Sequence, residues 1–257
     1  MPFPLTGVVI TRNEADRIAR CVSSMTEICR EVVVLDSGST DDTVAVAKAA
    51  GAQVYHQDWL GFSRQKNAVI ARAATPWVLL LDADEWLTPA SVRKLLELFT
   101  SEKMQAADVW QLSRRTVFLG KQLRFGGRHA EPVDRLFRND LRYAPADVHE
   151  HLELRNRRVA RTGATLLHDT ARSEDEYRAK LDAYARLYAE QGYRAGRRAN
   201  LPGAVAHAAF YLLKYFVIRG GFLDGSCGLL YHRCHARYVF DKYRYLAALN
   251  RGKSVRA

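Results

Sequence analysis

Cysteine, proline and negative charge are all scarce in this chain of 257 residues. Its four cysteines, Cys21, Cys29, Cys227 and Cys234, match neither a metal-ligand spacing nor a disulfide framework. Cys21 falls on an expected helix and reads as a small buried hydrophobe. No basic leader and no cleavage site separate Met1-Pro2-Phe3-Pro4 from the first apolar run, so a reducing cytosol is expected rather than export. Internal repeats and low-complexity tracts are absent, which argues against solenoids and disordered tails. An apolar run long enough for comfortable membrane crossing is also missing. The nearest, Leu201 to Ile218, is 18 residues long and carries His207 and Lys214. A bilayer needs about 20 apolar residues, and two polar groups make a span expensive. A helix lying in the membrane interface, or packed on the protein, is expected instead.

The rest of the composition is that of a folded protein, with 48% hydrophobic, 10% aromatic and 26% charged residues. That content suits one sizeable domain with an appended element. Net charge is +11, and residues 171–257 hold 16 Lys and Arg against 7 Asp and Glu. The same stretch contains 10 of the 12 tyrosines. Basic residues interleaved with tyrosine suit an anionic membrane surface or a nucleic acid, the plain alternative being a solvated basic face.

Strand and helix alternate through the first hundred residues. Leu5 to Thr11 reads as a buried strand, and Asn13 as the cap of a helix bearing Ile18, Val22 and Met25. A second strand ends at Asp36, and Asp41 or Ser39 caps the helix that stops at Gly51. Gln53–His56 is a short strand, Arg64–Ala74 a helix, and Trp77–Leu81 a strand. Such repeats predict an α/β fold with a parallel sheet and ligands at the strands' carboxyl ends. Three polar clusters follow strands directly: Thr11-Arg12-Asn13-Glu14, Asp36-Ser37-Gly38-Ser39 and Asp82-Ala83-Asp84. From Asp108 to His168 short strands with glycine-rich turns are expected. Ser173 and Glu176 form a capping box for a helix to Tyr193, and a basic, Tyr-rich helix follows Gly220-Gly221.

Two carboxylates two residues apart at a strand end can hold a hard divalent cation through oxygen ligands. Such an ion can neutralise charge on a departing diphosphate. The competing reading is a solvated acidic turn, made less attractive by the two neighbouring polar strand ends.

Taken together, Val9-Ile10-Thr11-Arg12-Asn13-Glu14, Val34-Leu35-Asp36-Ser37-Gly38-Ser39-Thr40-Asp41-Asp42-Thr43 and Leu81-Asp82-Ala83-Asp84-Glu85 resemble glycosyltransferase family 2, the nucleotide-sugar enzymes of the GT-A fold. The resemblance implies a Rossmann-like mixed sheet with flanking helices over residues 1–170. Within it, 1–106 would bind nucleotide-sugar and 107–170 would face the acceptor. Basic, membrane-associating helices would occupy 171–257. It further implies that Thr11, Asn13, Glu14, Asp36, Ser37, Gln65, Lys66, Asp82, Ala83 and Asp84 line the donor site. Asp84 would be the firmest ligand of a Mg2+ or Mn2+ ion, with Asp82 contributing directly or through the ribose. Asp58-Trp59-Leu60-Gly61-Phe62, Arg135-Leu136-Phe137-Arg138, Val148-His149-Glu150 and Gly221-Phe222-Leu223-Asp224-Gly225 extend the likeness to lipopolysaccharide core glycosyltransferases of the WaaE/KdtX type. Those enzymes add a sugar, often glucose, at the cytoplasmic membrane face.

Inversion at the anomeric carbon needs one base for the acceptor hydroxyl. Glu150 is the candidate, with Asp147 and Asp134 as rivals and pairing to a nearby arginine as its structural alternative. His168 ends a strand-like run and could complete the metal site. Arg135, Arg138 and His149 are expected at the acceptor, within a cluster with Arg114, Arg115, Arg124 and Arg128 that suits a phosphorylated glycan. The expected partners are therefore a nucleotide diphosphate sugar, a lipid-linked glycan and, peripherally, the anionic inner face of the cytoplasmic membrane, with no nucleic acid. Transfer to polyprenyl phosphate would want clearer hydrophobic spans. A nucleic-acid-binding module leaves the acidic strand end unexplained.

Overall fold

Five of the seven residues at Leu5–Thr11 are β-branched, and all seven are buried as strand β1. The computed structural model describes residues 3–127, 130–145 and 151–252. The elements that follow are α1 (Ile18–Thr26), β2 (Glu31–Asp36), α2 (Thr43–Ala49), β3 (Gln53–His56), α3 (Phe62–Ile70), β4 (Trp77–Asp82), β5 (Glu85–Leu87), α4 (Pro89–Thr100), β6 (Val109–Phe118), β7 (Lys121–Gln122), β8 (Glu131–Arg138) and β9 (Val159–Asp169). Helices α5 (Glu174–Arg194), α6 (Leu201–Tyr211) and α7 (Gly225–Leu249) complete the order, α6 running on into a π-helical segment, Leu212–Ile218. The strands lie in the order β3-β2-β1-β4-β8-β6-β9-β5, with β7 on β6. The first four are parallel, whereas β8 enters antiparallel to β4. This is the expected mixed sheet with flanking helices.

The chain forms two compact units, residues 1–115 with 131–168, and residues 116–130 with 169–257. In the first, strand alternation divides the core between the two sheet faces. Val9, Val34, Leu79 and Leu81 pack with Ile18, Val22 and Met25 of α1 and Leu95 of α4. Val8, Val33, Leu35, Val78 and Leu80 pack with Val69 and Ile70 of α3. Gly7 lets α1 approach: a Cβ there would stand 3.0 Å from Met25 Sδ.

In the second unit α5 presents Ala185 and Ala189 to Tyr245 and Leu246 of α7. Phe118, Tyr177, Tyr231 and Cys234 form a further cluster. Tyr177, Tyr211, Tyr231 and Tyr245 are buried, so much of the tyrosine enrichment builds this core. Cys21 and Cys29 are buried in the first unit, Cys234 is buried in the second, and Cys227 is half-buried there.

Several local expectations need correction. Asn13 does not cap α1, which starts at Ile18 after Arg17; it holds φ 55°, and its Oδ1 accepts from Thr40 N at 2.8 Å. Helix α3 is shifted N-terminally, because Gly61 at φ 88° makes the turn that starts it. Strands β6 and β9 are long, at 10 and 11 residues. Ser173 does cap α5, accepting from Glu176 N, but Glu176 accepts from the backbone of Arg172.

Candidate active site

Register brings the three polar strand ends together. Thr11 pairs with Asp36, and Ile10 with Asp82, along the carboxyl edge of the parallel strands. The loops after β1 and β2 clasp one another there. Asn13 N donates to Ser39 Oγ at 2.9 Å, and Glu14 N to Thr43 Oγ1 at 2.7 Å. Glu14 also holds Arg17 by a two-pronged ion pair. Asp36 accepts from the backbone N–H groups of Gly38 and Ser39, both at 2.9 Å, and from Ser39 Oγ. Its carboxylate therefore shapes its own loop. Gln65, fully buried on α3, donates to Ser37 Oγ at 2.9 Å and to Gln57 O at 3.1 Å. The loops after β2 and β3 are thereby tied to one amide. Thr11 Oγ1, at the end of β1, is buried and has no hydrogen-bond partner.

Asp82 shares the α3 side of β4 with Val78 and Leu80, and there it meets two cations. Arg135 Nη2 lies 2.5 Å from its Oδ2, and Lys66 Nζ lies 3.7 Å from its Oδ1. The same guanidinium nitrogen donates to Glu85 Oε1 at 2.7 Å, and Glu85 Oε2 accepts from Asp82 N at 3.1 Å. Burial works against Asp82's charge, but Arg135 and then Lys66 outweigh it and hold the carboxyl well below its usual range. Glu85, fully buried, moves the other way: burial pushes it up, Arg135 opposes, and Asp82 adds to the push.

Asp84 follows the buried Ala83. Pairing of Glu85 with His168 across β5 and β9 sets Asp84 Oδ2 3.2 Å from His168 Nε2. Both side chains are partly open, at 21% and 22% exposure. The two side chains hydrogen-bond to each other at this 3.2 Å separation and would together be within reach of one cation. Among the described residues no third His, Cys, Asp or Glu joins them. A Mg2+ ion commonly takes one or two carboxylates and fills its shell with phosphate oxygens and water, so the donor set fits. Asp82 is engaged by Arg135 and Lys66 instead.

Two acceptor expectations are overturned. Arg135 is 5% exposed, and its guanidinium is bound to Asp82 and Glu85 beneath the site. Arg138 pairs with Trp77 at the opposite end of β4, where it stacks on that indole at 4.1 Å and donates to Gln105. His149 and Glu150, like Asp147 and Arg128, lie outside the described residues. The chain on either side of that segment is described: Tyr143 pairs with Leu152, and the Tyr143 ring lies 5.2 Å from Lys66 Nζ. Asn67 exchanges two hydrogen bonds with the Tyr143 backbone, at 2.8 and 3.0 Å. Glu85 and Tyr143 had no assigned role in the sequence. The signal for Glu85 was its place one residue beyond Asp84 in a strand buried at both ends.

The family model for Glycosyl transferase family 2 matches residues 6–162, more than half of the chain. The chain belongs to this family. It is 29% identical over 266 residues to the lipopolysaccharide core biosynthesis glycosyltransferase LpsC of Rhizobium meliloti, covering 96% of each chain. It is 38% identical over 118 residues to the uncharacterized glycosyltransferase RP128 of Rickettsia prowazekii, where it spans 40% of that protein's length. Among solved structures, glucosyl-3-phosphoglycerate synthase from Mycobacterium tuberculosis, in complex with Mn2+, UDP and glucosyl-3-phosphoglycerate, is 25% identical. It covers 46% of this chain and 45% of that one, with a TM-score of 0.35.

Proposed function

We propose that this family 2 protein is an inverting hexosyltransferase that moves a hexose, glucose in the first instance, from a nucleotide diphosphate sugar to a lipid-linked glycan of the lipopolysaccharide inner core. The observation that carries the reading is the Asp84–His168 pair, open to solvent beside the register-aligned ends of β1, β2 and β4. Asp84 and His168 would hold a Mg2+ or Mn2+ ion, which when bound supplies positive charge for the leaving diphosphate. Around them, Thr11 Oγ1 offers an unused hydroxyl to the nucleoside. Asn13, Glu14, Asp36, Ser37 and Gln65 build the loop walls, and Lys66 contributes a cation for phosphate. Arg135 and Glu85 position Asp82 from below. Glu150 is the base in this reading; among the described residues on either side of it, Tyr143 pairs with Leu152 and lies beside Lys66. The full-length likeness to a lipopolysaccharide core enzyme supports the acceptor class, and with it a place at the inner face of the cytoplasmic membrane.

Thermal stabilisation by a set of nucleotide-sugars, with and without Mn2+, tests the proposal. One donor should stabilise the protein only with the ion, by mass action. Asp84→Asn should abolish the ion-dependent part, whereas Glu150→Gln should keep it and lose turnover. Equal stabilisation of wild type and Asp84→Asn would remove Asp84 from the metal role.

A further inference from the structure

Helix α6 and its π-helical extension are apolar yet hardly covered: of the 18 residues Leu201–Ile218, 11% are buried. Only Ala204 and Tyr211 are buried in α6, and no residue of the extension is, although His207 stacks on Tyr243 and Phe216 packs on His232. Phe210 is 61% exposed, Leu213 52%, Val217 53% and Ile218 72%. After the left-handed Gly220 (φ 69°), a 3-10 turn at Gly221–Asp224 adds Phe222 at 51% and Leu223 at 57%. Asp224 at the end of that turn is buried; its carboxylate accepts from the backbone N–H groups of Arg124 and Phe125. The motif acid is thus committed to the fold of its own unit, leaving the two apolar residues before it outside.

Charge decides what covers these residues. From Gln191 to Leu223 the chain has five Lys and Arg (Arg194, Arg197, Arg198, Lys214 and Arg219) and no Asp or Glu. Lys214 Nζ lies 5.8 Å from the Phe210 ring and 5.3 Å from Tyr215, and Arg219 lies 5.1 Å from Tyr215. The cations therefore stand at the rim of the apolar side chains, as snorkelling residues do at a lipid boundary. A second copy of the chain would bring like charges face to face across a two-fold contact. An anionic bilayer surface takes both the apolar ridge and the cations.

We infer that the ridge Phe210–Leu223 inserts in the plane of an anionic membrane, with Phe210, Leu213, Val217, Ile218, Phe222 and Leu223 in the acyl boundary and Lys214 and Arg219 among the head groups. This rests on the reading of a lipid-linked acceptor for its purpose, but its test uses no catalysis. Flotation of the full chain with phosphatidylcholine vesicles, plain or with about 30% phosphatidylglycerol, should recover it only with the anionic vesicles, and less at high salt. Replacing Ile218 and Phe222 together by Asp should weaken binding about tenfold or more, since two apolar insertions become charges. Lys214→Glu should weaken it and reduce the salt dependence. Near-ultraviolet circular dichroism and the nucleotide-Mn2+ thermal shift, both unchanged, would show that the variants are folded; if the double variant does not fold, Ile218→Asp alone takes its place. Wild type that stays at the bottom of the gradient, or variants that float like wild type, overturns the inference. So does a dimer in sedimentation that Ile218→Asp dissolves while no form floats. Loss of flotation with the thermal shift retained separates this surface from the donor site.

Discussion

Replacing Arg135 by Met would remove the one guanidinium that serves both Asp82 and Glu85. Methionine keeps most of the volume and the apolar stem, so the perturbation is chiefly electrostatic. Among the described residues, Glu85, fully buried, would keep as ion pair Arg114 Nη1 at 3.6 Å besides its bond from Asp82 N, and Asp82 would keep Lys66 at 3.7 Å. Breaking a buried pair by deleting one partner costs about 3–5 kcal/mol, which for a protein of this size is a fall in Tm on the order of 10 °C. The pH dependence follows from the two shifts. Asp82 is held below its usual range, so its favourable contribution is present above the unfolded value of about 3.9 and is lost as pH falls through the folded value. Glu85 is already raised by burial, with Arg135 opposing; without that guanidinium it climbs further. Its charged form then destabilises the variant above the folded value, and acidification relieves this. The Glu85 effect makes the deficit largest near neutrality and smaller towards pH 5, whereas the Asp82 contribution is constant over that range. Thermal melts followed by circular dichroism at pH 7.5 and pH 5 would measure it, and adding Glu85→Gln should restore part of the loss. A variant melting within about 2 °C of wild type, or a deficit that does not change with pH, would refute this account of the buried network.

Other outcomes follow from the second unit and from the sheet's far end. Gly221→Ala should cost about 1–3 kcal/mol in a denaturant titration, because its Cβ would stand 2.3 Å from His232 Nε2 and 2.8 Å from Tyr215 O. His232 is held below its usual value by burial, with Asp224 opposing; its neutral form is favoured, so stability should be full above about pH 6.5 and fall below it. His232→Gln should flatten that dependence in melts from pH 7.5 to pH 5. Asp224→Ala should destabilise by about 1–3 kcal/mol in urea, by removing the charged acceptor of the Arg124 and Phe125 N–H groups. Arg138→Gln should leave the acceptor KM unchanged in a transfer assay, since Arg138 lies at the amino end of β4.

The parallel strands were legible because runs such as Val78-Leu79-Leu80-Leu81 have no other stable place than between two helical layers. The polar residues that end them were legible for the same reason. Thr11, Asp36 and Asp82 come into line through register alone. What local pattern could not carry was the insertion of β8 beside β4, which brings Arg135 to Asp82 across 53 positions. The spacing itself held a warning: residues 135 and 138 are three apart on a strand and face opposite sides, so they were poor candidates for one acceptor surface. Asn13 misled because an asparagine after a strand suits a helix cap and a left-handed turn equally well. The long β6 and β9 were hidden by arginines and threonines, which interrupt apolar alternation on half-exposed strands.

The cysteines have a practical consequence. Cys21 and Cys29 are sealed in one unit and Cys234 in the other. Burial raises all three thiols, and at Cys21, beneath the site, Glu85 and Asp84 add to the effect. Thiolates are the reactive form, so alkylation of the folded chain must wait for local opening. Mass spectrometry of timed labelling would therefore clock the breathing of each unit separately in the native sequence, with no engineered probe.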